Sequence, residues 1–307
     1  MYYQEKIMLT RTNVTNIGDP FIVRVGESYY MYATSFDVDG FKVWKSENMK
    51  EWECLGVCID LSDSWTCQDY WAPEVIHHNG KYIMHYTARR MSDKSLRMGV
   101  AVSEKPEGPF VDVHQGPMFD FGYAAIDGHV FIDDDGKAYF YYSKDCSENY
   151  VSENVRASEI CVCALSDDLL HLVGEPITLF GPSEDYDSIM VGDQMWNEGP
   201  YILKKDGMYY MTFSANCYAT RDYCICLAKA ENPFGPFKKT EAPIMTCNDV
   251  EKDFAGPGHN AFFKDKEGKL KMTFHIQTYA DAPSPNRKAC ICDAIIKDGT
   301  IKFELQE

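Results

Sequence analysis

A five-fold repeat constrains this chain more than any other feature. A turn glycine is followed by an alternating apolar segment with an aromatic six residues further on: Gly26 to Tyr32, Gly80 to Tyr86, Gly136 to Tyr142, Gly207 to Phe213 and Gly268 to Phe274, at steps of 54, 56, 71 and 61 residues. Each glycine also follows a short apolar run, so each copy reads as a β-hairpin. A third strand comes later in the unit, for example Phe41 to Ser46 or Met98 to Ser103, and two units share a Pro-x-Gly-Pro-Phe loop at 106–110 and 233–237. No stretch keeps helical periodicity beyond two turns. Five such units, each with room for four strands, predict an all-β, five-bladed β-propeller. A β-sandwich would not repeat one hairpin at such long, near-regular steps. With no linker or low-complexity segment, residues 1–307 read as a single catalytic propeller domain.

Charge and composition narrow the partners. Thirty Lys and Arg against forty-seven Asp and Glu give a net charge of −17, which repels nucleic acid and anionic membrane and leaves neutral or cationic small ligands. No apolar run reaches the roughly 18 residues of a membrane span, and the opening Met1 to Thr10 lacks a basic segment leading into an apolar one. The expected setting is cytoplasmic. Twelve cysteines in 307 residues fall short of a disulfide scaffold. The pairs Cys161/Cys163, Cys224/Cys226 and Cys290/Cys292 sit at strand spacing, without the knuckles or nearby histidines of a zinc site, and read as small buried hydrophobes. Asp133-Asp134-Asp135-Gly136 lacks the flanking helices and twelfth-position glutamate of a calcium loop and reads as a hairpin turn.

The innermost strand of a propeller blade begins near the central axis, so the residues that open the units converge. They are Asp19, Ala72-Pro73-Glu74, Asp127, Glu198 and His259. Strand starts packed on an axis favour apolar residues, because an unpaired buried charge is costly. Carboxylates gathered there suit glycoside hydrolysis: one acid protonates the leaving oxygen, a second carboxylate activates water or attacks the anomeric carbon, and a third raises the acid's pKa by repulsion.

The segments Gly18-Asp19-Pro20-Phe21, Ile126-Asp127-Gly128-His129, Asn197-Glu198-Gly199-Pro200 and Gly258-His259-Asn260 resemble those of glycoside hydrolase family 43, the five-bladed propellers that cleave arabinose and xylose linkages with inversion. The resemblance implies Asp19 as general base, Asp127 as pKa modulator and Glu198 as general acid. It also implies a calcium ion near His259, whose shell water would complete. Trp71 resembles the tryptophan that walls the sugar subsite and also reads as inter-blade core. Phe36 matches an aromatic beside the base. Arg287 resembles a late arginine that donates into the pocket and otherwise reads as a surface cation. Many xylosidases of the family append a sandwich domain after the propeller; its absence from this sequence tilts the expectation to an exo-acting, inverting α-L-arabinofuranosidase on plant-polysaccharide-derived oligosaccharides. β-Xylosidase and endo-arabinanase are the alternatives. Fructosidases and mannoside phosphorylases fit poorly, since the aspartate and glutamate contexts differ and no basic cluster for phosphate accompanies the acids. A non-catalytic sugar-binding propeller would keep Trp71 but have no need of three carboxylates.

Overall fold

The computed structural model describes residues 6–250, 255–277 and 287–305, all strand, turn and loop. Blade one comprises Thr10–Val25, Ser28–Ser35, Gly40–Ser46 and Glu53–Asp60; blade two, Thr66–His78, Lys81–Arg90, Leu96–Ser103 and Val111–Asp112. Blade three pairs Ala125–Ile132, Ala138–Lys144, Glu159–Leu165 and Leu172–Phe180, and blade four pairs Asn197–Lys205, Met208–Ala215, Cys224–Ala230 and Lys238–Lys239. Blade five takes Ala255–Lys264, Leu270–Gln277 and Arg287–Lys297 from the end of the chain. Its next strand comes from the start. Thr10 to Ile17 pairs with Arg287–Lys297, and the same strand continues from Ile17 as the first of blade one. The long first strand thus joins the first and last blades of the propeller.

The repeat does what its chemistry requires. Gly26, Gly80, Gly136, Gly207 and Gly268 all turn with φ between 60° and 83°, in open space, so backbone conformation alone selects glycine there. The aromatic of each copy, Tyr32, Tyr86, Tyr142, Phe213 and Phe274, is fully buried. There is no single central core. Apolar clusters form between neighbouring blades, as where Tyr32 and Phe41 of blade one meet Val75, Met84 and Tyr86 of blade two. The three Cys-x-Cys pairs lie on third strands as buried free thiols.

One irregularity repeats and positions the site. In every blade the pairing of the first two strands slips at its axial end, and one residue there is left-handed: Asp19 (φ 53°), Ala72 (46°), Asp127 (59°), Gly199 (58°) and His259 (47°). Each of these residues donates its N–H to a side chain of the preceding blade. Asp19 reaches His275 Nδ1 at 3.2 Å, Ala72 reaches Thr34 Oγ1 at 2.9 Å, and Asp127 reaches Thr87 Oγ1 at 3.1 Å. Gly199 reaches Asp127 Oδ2 at 3.1 Å and His259 reaches Ser214 Oγ at 2.7 Å. Five inter-blade bonds thus encircle the axis. Non-glycine residues are rare in this conformation, and such strain collects at functional sites.

Candidate active site

The bulges correct one sequence expectation. Asp19, Asp127 and His259 hold the left-handed position, but Glu198 precedes its left-handed residue, Gly199, and so matches Trp71, Gly18 and Gly258 instead. Glu198 is therefore one position out of step with the aspartates, and the bulge, which breaks ordinary strand alternation, still turns it to the same cavity.

Asp19, Phe36, Trp71, Asp127, Glu198, His259 and Arg287 all line one axial cavity of about 240 Å³. Every site residue expected from the sequence is in it. Asp19 Oδ1 meets Arg287 Nη1 at 3.1 Å and His259 Nδ1 at 3.3 Å, while Oδ2 accepts from the Thr34 hydroxyl. Arg287 is buried, with its guanidinium carbon 4.9 Å from the Tyr218 ring centre and 6.0 Å from that of Phe36. Phe36 is 45% exposed and forms the rim. Trp71 lines the cavity and also packs on Leu96, Ala124 and Ile126 between blades two and three.

The three carboxyl groups are tuned apart. Burial alone would raise the pKa of Asp19, but Arg287, the adjacent histidines and the Thr34 hydrogen bond hold it well below the usual carboxylate range. Of these partners Arg287 is the lasting cation, because burial keeps His259 and His275 below the ordinary histidine value and hence neutral. Glu198 is pushed up to about 8, first by burial, against the opposing Tyr223 hydrogen bond, and then by the charges of Asp145 and Asp19. Asp127 is raised too, by burial, Glu198, Asp19 and Asp145. Its Oδ2 also accepts the N–H of Gly199, the residue directly after Glu198. Asp127 thereby restrains the backbone that carries the glutamate. An ionised carboxylate and a protonated one thus line the same cavity, the combination that acid–base chemistry requires.

Several contributors were not evident in the sequence. Tyr223 donates to Glu198 Oε1 at 2.8 Å and stacks on His275, ring centres 5.6 Å apart and planes 7° from parallel. Asp145, Trp196, Gln194 and Tyr218 complete the wall. Two glycines leave room for pocket side chains, Gly18 before Asp19 and Gly258 before His259. A Cβ on Gly18 would stand 2.1 Å from Arg287 Nη2, and one on Gly258 would stand 2.0 Å from the Tyr223 ring. Gly18→Ala is therefore expected to displace Arg287 from Asp19 and lower kcat/KM by about 100-fold, the usual cost of a misplaced catalytic contact. Steady-state kinetics checks this beside a melting curve; unchanged kcat/KM would show that the guanidinium position is not critical.

The implied calcium does not fit as a directly liganded ion. Calcium takes six to eight oxygen ligands, whereas no group of three or more His, Cys, Asp or Glu among the described residues is arranged to hold a metal. His259 Nδ1 already lies between Asp19, at 3.3 Å, and Asp127, at 3.9 Å.

An all-β propeller with one ionised and one protonated carboxyl lining the same axial pocket falls, as a class, with the carbohydrate-cleaving propellers. The model of the glycosyl hydrolases family 43 matches residues 13–301, and the chain belongs to that family. Over 94% of this chain and 84% of the relative it is 25% identical to the β-D-galactofuranosidase xynD of Aspergillus niger. It is 29% identical to a xylosidase/arabinosidase of Bacteroides ovatus over 66% of each. Among solved structures, a thermostable family-43 glycoside hydrolase superposes with a TM-score of 0.89 at 42% identity, covering 95% of this chain and 94% of that one. An endo-1,4-β-xylanase of Bacteroides thetaiotaomicron superposes with a TM-score of 0.81 at 28% identity over 97% of both chains.

Proposed function

We propose that this glycosidase is an exo-acting, inverting α-L-arabinofuranosidase that removes terminal pentose from plant-polysaccharide-derived oligosaccharides. The observation that carries it is the split between Asp19, held ionised by Arg287, and Glu198, held protonated, across a cavity of about 240 Å³. That volume lies below the roughly 300–1,000 Å³ of sites for drug-sized ligands and suits a terminal sugar better than a long chain. In this reading the sugar packs on Trp71, Asp19 takes a proton from the attacking water, and Glu198 gives one to the departing oxygen. Water adds on the face opposite the leaving group, which inverts the anomeric centre. Asp127 holds Glu198 in place through Gly199.

β-Xylosidase is the second reading, supported by the xylosidase/arabinosidase relatives. Nitrophenyl α-L-arabinofuranoside and nitrophenyl β-D-xylopyranoside separate the two; faster release from the first is expected. NMR of the first product formed should show the anomer opposite to the substrate's. Hydrolysis of neither glycoside would remove the pentosidase reading in favour of a sugar-binding protein, and a retained anomer would overturn the base role of Asp19. Calcium near His259 enters this proposal only as an ion held through water. A cytoplasmic setting is likewise proposed, on the support of twelve free thiols.

A further inference from the structure

Three of the four carboxyl groups that line the pocket have a strong partner. Asp19 has Arg287, Glu198 has the Tyr223 hydroxyl, and Asp127 has the Gly199 N–H. The fourth, Asp145, is 6% exposed and follows directly on the second strand of blade three, where its N–H donates to Ala124 O at 2.8 Å. That bond extends the ladder with the strand bearing Asp127 and fixes the backbone. The side chain is far less satisfied. Oδ1 accepts the Ser147 N–H at 2.9 Å. Oδ2 has only the Ser158 hydroxyl at 3.5 Å and the Cys146 thiol at 4.0 Å. Good O–H···O bonds are roughly 2.5–3.0 Å long, so this oxygen is close to unpartnered.

Nor does a cation compensate it. Among the described residues Asp145 forms no ion pair with lysine, arginine or histidine; Arg97, a buried arginine that reaches Glu148 three residues after Asp145, spends its ion pairs on Asp93, Asp120 and Glu148. A buried carboxylate with about four acceptor positions, one of them well used, is costly unless something else donates to it. It lies on the wall of a cavity whose other walls are Trp71, Trp196 and Tyr218. Aromatic faces suit the C–H surface of a sugar, and a carboxylate suits its hydroxyls, which donate charge-assisted hydrogen bonds.

We propose that Asp145 is a substrate-binding residue that determines specificity: its Oδ2 accepts a hydrogen bond from a hydroxyl of the bound sugar and so selects ligands that present one toward blade three. The inference rests on the pentosidase reading of the same pocket. It gives that reading a selecting contact on the wall formed by Asp145, Cys146 and Ser147, apart from Asp19 and Arg287 on the base side.

The test is made in the Glu198→Gln background, where turnover is suppressed and position 198 cannot titrate. Any change then reports contact with the sugar and not a change in the acid's proton. Binding of arabinofuranosyl-xylobiose and of xylobiose is followed by calorimetry, together with singly deoxygenated forms of whichever binds. Adding Asp145→Asn should weaken the parent ligand by about 10- to 100-fold, the range for losing a hydrogen bond to a charged group. One deoxygenated ligand should bind the two proteins equally, because its missing hydroxyl is the one Asp145 held. Asp145→Ser, with melting curves for all variants, serves if the asparagine protein folds poorly, and the deoxygenated series on intact Asp145 needs no substitution there at all. Parent and deoxygenated ligands all binding within twofold, with or without Asp145, would overturn the proposal while leaving the pentosidase reading in place. If neither oligosaccharide bound with Asp145 intact and neither nitrophenyl pentoside were cleaved, the pentosidase reading would fall and this inference with it.

Discussion

Glu198→Gln is expected to slow cleavage of a natural oligosaccharide by about 10²–10⁴-fold, the range that general acid catalysis supplies, while an aryl glycoside with a good leaving group loses less than about tenfold. The difference arises because only a sugar alkoxide needs a proton as it leaves. The same residue sets the alkaline limb of the pH profile. Burial and the charges of Asp145 and Asp19 raise the Glu198 carboxyl to about 8. The acid is therefore protonated at neutral pH, and activity falls as pH rises through about 8. In the glutamine variant that limb should vanish for the activated substrate, since no proton remains to be lost. Rates for both substrates measured from pH 5 to 10 check this. Equal losses on the two, with the limb still present, would mean that Glu198 is not the acid.

Asp19→Asn should show the opposite pattern, with both substrates slowed by about 10³-fold or more, because water must be activated whatever the leaving group. The acid side of the profile follows from Arg287. A base is active when ionised, so a lowered pKa keeps it active until pH falls through that low value, and the intact enzyme should hold its rate well into the acid range. Removing the guanidinium leaves burial, which raises the carboxyl, as the dominant influence on Asp19. Arg287→Met is thus expected to move the acid limb upward in pH as well as to lower kcat, and the alkaline limb should also move up, because the same guanidinium holds the Glu198 carboxyl down. A slower enzyme with an unmoved acid limb would assign Arg287 to substrate binding and not to the ionisation of Asp19.

How much of this was legible in the sequence differs from one residue to the next. Asp19, Asp127, Glu198 and His259 stood out because charged residues at strand starts near an axis need a chemical reason, and all four line the pocket. The surroundings of Ser143 were not legible. It occupies the position that in neighbouring blades accepts the next blade's N–H, but Asp127 takes that role and leaves the Ser143 hydroxyl buried without a partner. The loops Ser143 to Glu159 and Leu179 to Met195 in part pair with each other. Tyr150–Ser152, Val155–Ala157 and Gln194–Met195 form a small sheet, which Arg156 supports through Asp193 with two contacts of 2.8 Å. Nothing in their local pattern signals a partner some 40 residues away.

What the sequence determined by itself is the blade and its number. Alternation, turn glycines and a buried aromatic are local requirements, met by neighbouring residues, and five repetitions of them dictate a propeller. The tertiary structure decided the chemistry of the acids. Arg287 meets Asp19 across 268 residues of chain, Tyr223 reaches Glu198 from 25 residues on, and Asp145 lines the same pocket with no cation paired to it among the described residues. Whether a carboxyl group is ionised depends on its burial and on the charges a few ångströms away. Those distances exist only after the first strand has paired with the last blade, and no local pattern of residues encodes them.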